Sequence, residues 1–322
     1  RRLDLRAAFA LWPDAAASAE GLLSECREAL RRTTSDRPLE VAPARQRGWS
    51  TGTLPAAATP SPDAPLVAAP AMRELYATVD RMQKSAIPVL LTGETGTGKE
   101  VVSRAIHERS QRGGGPLASV NCGAIPQTLT ESILFGHEKG AFTGATARSD
   151  GLFGEADGGT LLLDEVGELS PSAQAALLRT LENRTALRVG AAKERPVDVR
   201  VIAATHRDLE QMCQQGGFRW DLYYRLAVMT LRIPPLRERA EEIAPLAERF
   251  VAQANRANGC AVQGIEPDAL HLLHRYDWPG NVRELRNALE RAVVIAPGPR
   301  ITVAELPDKV QQADTPAEPG LE

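Results

Sequence analysis

A chain of 322 residues, 43% apolar and 25% charged, has the make-up of an ordinary globular protein long enough for two domains. Its formal charge of −3 excludes a surface built to coat nucleic acid, so any DNA contact must be local or borrowed. The four cysteines, Cys26, Cys122, Cys213 and Cys260, form no CxxC pair, which excludes a disulfide framework or zinc site and fits a reduced, cytoplasmic protein.

No apolar run reaches the roughly 18 residues of a membrane span, so no membrane partner is expected. The first residue is Arg1 and no signal peptide opens the chain, so a piece of a longer protein is expected. Residues 1–66 carry an amphipathic stretch, Leu22-Leu23 to Leu30, and then a run with Pro38, Pro43, Pro55, Pro60, Pro62 and Pro65. Such a run reads as a linker after the remnant of an N-terminal regulatory domain. The text from Ala10-Leu11-Trp12-Pro13-Asp14 to Ala29-Leu30-Arg31-Arg32 resembles the end of a nucleotide-cyclase-like (GGDEF-type) domain, without that family's catalytic residues. A helix of some other regulatory domain fits equally well.

From 67 to 236 short apolar runs alternate with helical text. Residues 87–91, 117–120, 160–163 and 199–204 each end in polar or glycine-rich residues. Continuous apolar runs suit central parallel strands covered on both faces, with ligands gathering at their carboxyl ends. The fold class expected is α/β, a parallel sheet sandwiched by helices.

The first of these runs leads into Gly93-Glu94-Thr95-Gly96-Thr97-Gly98-Lys99, followed by a helical segment over 101–109. This is the GxxxxGK of a P-loop in the strand-to-helix context it needs. Its amides point at phosphate oxygens, and Lys99 adds a point charge for the β and γ phosphates. The next position, where Ser or Thr usually serves Mg²⁺, is Glu100.

Asp164-Glu165 closes the Leu161-Leu162-Leu163 run, where one carboxylate can hold Mg²⁺, partly through water, and the other can act as general base. Asn121 ends the 117–120 strand and could restrain Glu165, or simply occupy a turn. Thr205-His206 follows the 199–204 strand and could sense a γ-phosphate; His206 is otherwise a turn or cap residue.

From 237 to 310 the periodicity is helical, as in Ile243…Leu246-Ala247…Phe250-Val251, and a small all-helical lid is expected. Asp277-Trp278-Pro279-Gly280-Asn281 interrupts it before a helix over 282–295. Residues 311–322 are acidic and Pro-containing and are expected to be a disordered tail.

Gly140-Ala141-Phe142-Thr143-Gly144-Ala145 is GAFTGA, framed by Glu131-Ser132-Ile133-Leu134-Phe135-Gly136-His137-Glu138-Lys139 and Gly151-Leu152-Phe153-Gly154-Glu155-Ala156. In these residues, and in Pro234-Pro235-Leu236-Arg237-Glu238-Arg239 and 278–285, the chain resembles the bacterial enhancer-binding proteins, the sigma-54-dependent AAA+ activators. That family's P-loop similarly reads GETGTGKE, so Glu100 is no departure.

The resemblance implies an ATPase that uses ATP and Mg²⁺ and assembles with itself into a ring of six or seven subunits. It implies sigma-54 RNA polymerase holoenzyme as partner, reached through residues 140–145, with promoter DNA affected only indirectly. Arg219 and Arg225 look like arginine fingers offered to a neighbouring subunit; by themselves they could be two solvated arginines. Arg283 looks like the lid residue that touches the phosphates, and Asn121 like a switch residue paired with Glu165. Phe142 and Thr143 are the expected contact residues, Phe142 as an exposed aromatic. Such activators usually end in a helix-turn-helix; no DNA-binding domain is legible here, whether trimmed or absent. The rival readings are a general AAA+ remodeller, which predicts no GAFTGA, and a non-hydrolysing scaffold, which predicts loss of Glu165 or the finger arginines.

Overall fold

A computed structural model describes residues 7–9, 39–41, 65–142 and 145–312. The chain divides into two units, residues 1–59 and 60–322. Within the first, β1 (Ala7–Phe9) and β2 (Leu39–Val41) pair in parallel. The expected amphipathic stretch, cyclase-like text and Pro-rich linker otherwise lie outside the described residues.

The second unit opens with α1 (Pro70–Arg81), started by a proline in its first turn and burying Met72, Leu75, Tyr76 and Val79. There follow β3 (Val89–Thr92), α2 (Lys99–Glu108), β4 (Leu117–Asn121), α3 (Thr130–Phe135), α4 (Gly151–Glu155) and β5 (Thr160–Asp164). Helix α5 (Pro171–Asn183) is capped by the Ser170 hydroxyl, which accepts from the Ala173 amide. A short antiparallel pair, β6 (Thr185–Ala186) and β7 (Arg195–Pro196), precedes β8 (Arg200–Thr205), α6 (Leu209–Gln214), α7 (Trp220–Leu226) and β9 (Met229–Arg232).

The main sheet has five parallel strands in the order β4-β5-β8-β3-β9. Alternate residues of its central strands feed two separate cores. Leu90, Leu161, Leu163, Val201 and Ala203 face one, while Val89, Leu91, Leu162, Ile202 and Ala204 face the other. A strand buried on both faces has no polar side to display, which is why these runs read as continuously apolar. Strand β8 begins and ends one residue later than the 199–204 run, taking in Thr205.

The C-terminal part packs α8 (Ile243–Asn258), α9 (Pro267–Arg275) and α10 (Asn281–Ile295) around the fully buried Trp278, whose indole N–H donates to the Leu273 carbonyl at 2.8 Å. This helical lid also carries a two-residue parallel pair, β10 (Gly264–Ile265) with β11 (Arg300–Ile301), which helical periodicity could not announce. Helix α11 (Asp308–Gln311) takes in the first residue of the expected tail, and 313–322 lie outside the described residues.

Candidate active site

The register of the sheet sets the polar carboxyl ends side by side. Asn121 is opposite Asp164, and Thr92 is opposite Thr205. Residues 93–98 leave β3 at this edge and turn into α2. Gly96 has φ +80, and a Cβ there would lie 2.3 Å from the Gly280 carbonyl oxygen, so the loop packs directly on the lid. Gly98 caps α2 in the left-handed region at φ 98 and has open space around its α-carbon. The first amides of a helix lack intrahelical partners, so this end of α2 offers them to an anion.

Lys99 is 7% exposed, and its ammonium donates to the carbonyls of Gly93 at 3.0 Å and Glu94 at 3.3 Å, with Glu165 at 3.8 Å. Burial lowers its pKa, the charges of Glu165 and Asp164 oppose that, and Arg283 reinforces it. A phosphate here would add a closer counter-charge for the buried ammonium than Glu165 at 3.8 Å.

The two carboxylates are held apart by different partners. Asn121 Nδ2 donates to Asp164 Oδ2 at 3.3 Å, and its Oδ1 accepts from the Gly123 amide at 2.9 Å. Glu165 Oε2 is 2.7 Å from His206 Nδ1. The expected Asn121–Glu165 pair is therefore not the one formed. The reason is backbone geometry: Glu165 takes up the left-handed region at φ 52, ψ 50, and its side chain meets the β8 end, whereas Asn121 ends β4 on the other side of β5. A non-glycine residue in that region carries about 1–3 kcal/mol of strain, a pattern typical of functional sites.

Burial raises the Asp164 pKa, the neighbouring Glu165 charge adds to this, and Lys99 opposes it. Two adjacent acids, one of them reluctant to ionise, are a donor set that a hard divalent cation relieves. Thr205 departs from expectation. It is fully buried and its hydroxyl accepts from the Arg207 amide at 3.0 Å, so His206 is the residue that reaches the acid pair.

Other P-loop side chains turn away from the phosphate side. The Glu94 carboxylate is gripped by Arg237 at 2.6 and 2.9 Å and by Asn281 Nδ2 at 3.0 Å, which hold its pKa down at about 2. Glu94 thus ties the loop to the lid, a role that sequence reading missed. The Thr97 hydroxyl donates to the Glu94 carbonyl at 2.9 Å, and the Thr97 carbonyl accepts from the buried Arg239 at 2.7 Å. Asn281 Nδ2 also donates to the Thr95 carbonyl at 3.1 Å. The Glu100 side chain is exposed and pairs with Arg104 at 3.5 Å. Arg283 reaches this loop through its backbone neighbour: the Val282 amide donates to the Gly96 carbonyl at 3.1 Å, and Arg283 Cβ lies 3.1 Å from where a Gly96 side chain would begin.

The Glu94 clasp has a pH signature. Its folded pKa is depressed from 4.5 to about 2, so its stabilisation is complete above pH 4.5 and is lost as pH falls through about 2. Because the pair is solvent-accessible, Glu94→Gln is expected to cost only about 0.5–1 kcal/mol at pH 7. Urea unfolding of both proteins checks this: the gap should narrow steadily below pH 4.5, and a pH-independent gap would contradict the clasp.

Arg219 and Arg225 do not join this cluster within the chain. The Arg219 guanidinium forks onto Asp221 at 3.0 and 2.6 Å, and Arg225 donates to the Leu181 carbonyl at 2.9 Å. Both sit on α7 or its N-cap, beside the exposed Trp220 and Tyr224. The GAFTGA loop is closed at its base, where the Gly140 amide donates to the Ala145 carbonyl at 2.8 Å and Ala141 bonds back to Glu138 at 3.1 Å. Phe142 is not the freely exposed aromatic expected. It is half-buried, with its ring edge-on to His137 at 5.0 Å. Thr143 and Gly144 lie outside the described residues.

The model of the Sigma-54 interaction domain family matches residues 66–232, and that of the AAA+ ATPase lid domain matches 237–321. This chain belongs to the sigma-54-dependent transcriptional regulator family. Among relatives in that family, the transcriptional regulatory protein ZraR of Klebsiella oxytoca is 54% identical over 238 residues, covering 74% of this chain and 54% of the relative. The nitrogen fixation protein AnfA of Azotobacter vinelandii is 50% identical over 240 residues, covering 74% and 45%. The crystal structure of NtrX from Brucella abortus in complex with ADP superposes with a TM-score of 0.70 at 38% identity, covering 74% of this chain and 54% of that one. This sigma-54 regulator chain spans about half the length of the relatives it matches. It has the AAA+ architecture of a five-stranded parallel P-loop sheet with a helical lid. No helix among the described residues is long and apolar enough to cross a membrane.

Proposed function

We propose that this chain hydrolyses ATP in a self-assembled ring and uses the energy to remodel the sigma-54 RNA polymerase closed complex in the cytoplasm. The supporting observation is Glu165, strained, oriented by His206 and placed beside Asp164 and the P-loop lysine. The amides at the start of α2 and Lys99 bind the phosphates, while Gly96, backed by the lid, sets the loop against Arg283. Glu165 then takes a proton from water as its oxygen bonds to the γ-phosphorus. The bond from that phosphorus to the bridging oxygen breaks, and ADP keeps the electron pair. Asp164 is the residue to hold Mg²⁺, partly through water, and the ion would neutralise developing phosphate charge. Arg219 and Arg225 complete the site of the neighbouring subunit, which makes turnover depend on assembly into six or seven copies.

A short physical route also links the acid pair, through Asp164, to the GAFTGA loop. Asn121 reads Asp164 and caps the turn at 122–124, which leads through residues 127–129 into α3, and α3 carries the loop. Residues 140–145 are assigned to sigma-54, with Phe142 leaving His137 to make the contact. Promoter DNA is affected only through the polymerase.

Thr143→Ala should keep at least about half of wild-type ATP turnover while losing sigma-54 capture in the presence of ADP and aluminium fluoride. Capture by native gel, with turnover measured alongside, tests the assignment. Retained capture, or equal loss of both activities, refutes it.

A further inference from the structure

Arg200 opens β8, at the end of the sheet opposite Lys99 and Asp164. It is 2% exposed, and among the described residues its Nε, Nη1 and Nη2 have no hydrogen-bond partner. A buried guanidinium with all its donors idle is costly, because the charge has left water without gaining a counter-charge. Arg112 cannot help and itself lowers the Arg200 pKa, second to burial. Its own guanidinium is satisfied by the Asp198 carboxylate at 2.6 Å and by the Asp198 and Gly159 carbonyls at 2.6 and 3.2 Å. The Asp198 carboxylate is thus already committed to Arg112.

Arg200 lines a cavity of about 110 Å³ together with Lys84, Ser85, Ser110, Gln111 and Arg112. Of the seven residues that line it, Ala86 included, three are cationic and none is acidic. Lys84 is exposed at the rim. The Ser85 hydroxyl accepts from the Ile87 amide at 3.3 Å, which leaves its proton to donate. A cavity of this size suits one tetrahedral oxyanion better than a whole nucleotide.

We propose that this cavity is a second anion site, separate from the P-loop, that binds a single phosphate group between Arg200 and Lys84, with Ser85 as a further donor. The guanidinium nitrogens are shielded from solvent, so binding requires them to turn toward the cavity by rotation about the terminal torsions. The resulting charge-assisted bonds satisfy Arg200 and tie the α1–β3 connection to the start of β8. The phosphate is either the free inorganic ion or the terminal group of a small phosphate ester.

Calorimetric titration of the whole chain tests this, after saturation with a non-hydrolysable ATP analogue so that the γ-phosphate position is filled. Inorganic phosphate and glycerol phosphate are the two probes, at constant ionic strength. Phosphate should bind one further site per chain, with Kd at least tenfold weaker in Arg200→Met and several-fold weaker in Lys84→Ala, and with analogue affinity unchanged. Binding of glycerol phosphate as well assigns the site to phosphate esters; its failure assigns it to the free ion. Absence of phosphate binding to the wild-type chain, or equal binding to wild type and Arg200→Met, overturns the proposal. Should Arg200→Met not fold, unchanged affinity in Lys84→Ala overturns it alone.

Discussion

Glu165→Gln is expected to lower ATP turnover by about a thousandfold while leaving nucleotide affinity within a few-fold of wild type. The glutamine side chain keeps the size and hydrogen-bonding reach of glutamate but cannot take a proton. The loss therefore measures general-base catalysis, which contributes roughly 10²–10⁴ in rate. Binding should survive because the contacts to phosphate belong to Lys99 and the amides that open α2. Lys99 also keeps its carbonyl bonds to Gly93 and Glu94 when its 3.8 Å contact with Glu165 loses charge. His206→Ala supplies the contrast. It removes the 2.7 Å bond that orients Glu165 but leaves the base, so its turnover should fall much less. Steady-state turnover paired with equilibrium binding of a fluorescent nucleotide separates the two effects. If Glu165→Gln retains more than a tenth of wild-type turnover, Glu165 is not the base.

That prediction concerns a residue legible in the sequence, but its partner was not. The P-loop, the acid pair and the GAFTGA loop are contiguous text, so their identity needs no knowledge of what lies across the fold. The partner of Glu165 depends on which strand lies beside β5. The order β4-β5-β8 and the left-handed backbone at Glu165 give that place to His206 and leave Asn121 to Asp164. Glu94 shows the same limit at longer range, since its carboxylate is bound by Asn281, 187 residues away in sequence. Within a glycine-rich motif, a glutamate cannot be told from a phosphate-side residue until the lid is placed. Arg200 is the extreme case, because an arginine inside an apolar strand run gives no local sign that it is buried without a partner.

The proposed division of the active site between subunits predicts the second large effect. Arg219→Ala and Arg225→Ala should each lower turnover by about a thousandfold or more, within the 10³–10⁵ expected of an arginine finger, while nucleotide binding persists. The magnitude alone could also come from a collapsed α7, because Arg219 forks onto Asp221 and Arg225 holds the Leu181 carbonyl. Mixing two inactive proteins removes that ambiguity. A ring built from equal parts Arg225→Ala and Lys99→Ala contains interfaces where an intact P-loop faces an intact finger. Random assembly places this combination at about a quarter of interfaces, so turnover should recover from near zero to a substantial fraction of that share. Recovery requires the finger to act on a different chain from the one that carries it, because each protein alone has a defect at every interface. Two variants that stay dead on mixing, while still assembling, would put Arg225 back into a purely local role on α7.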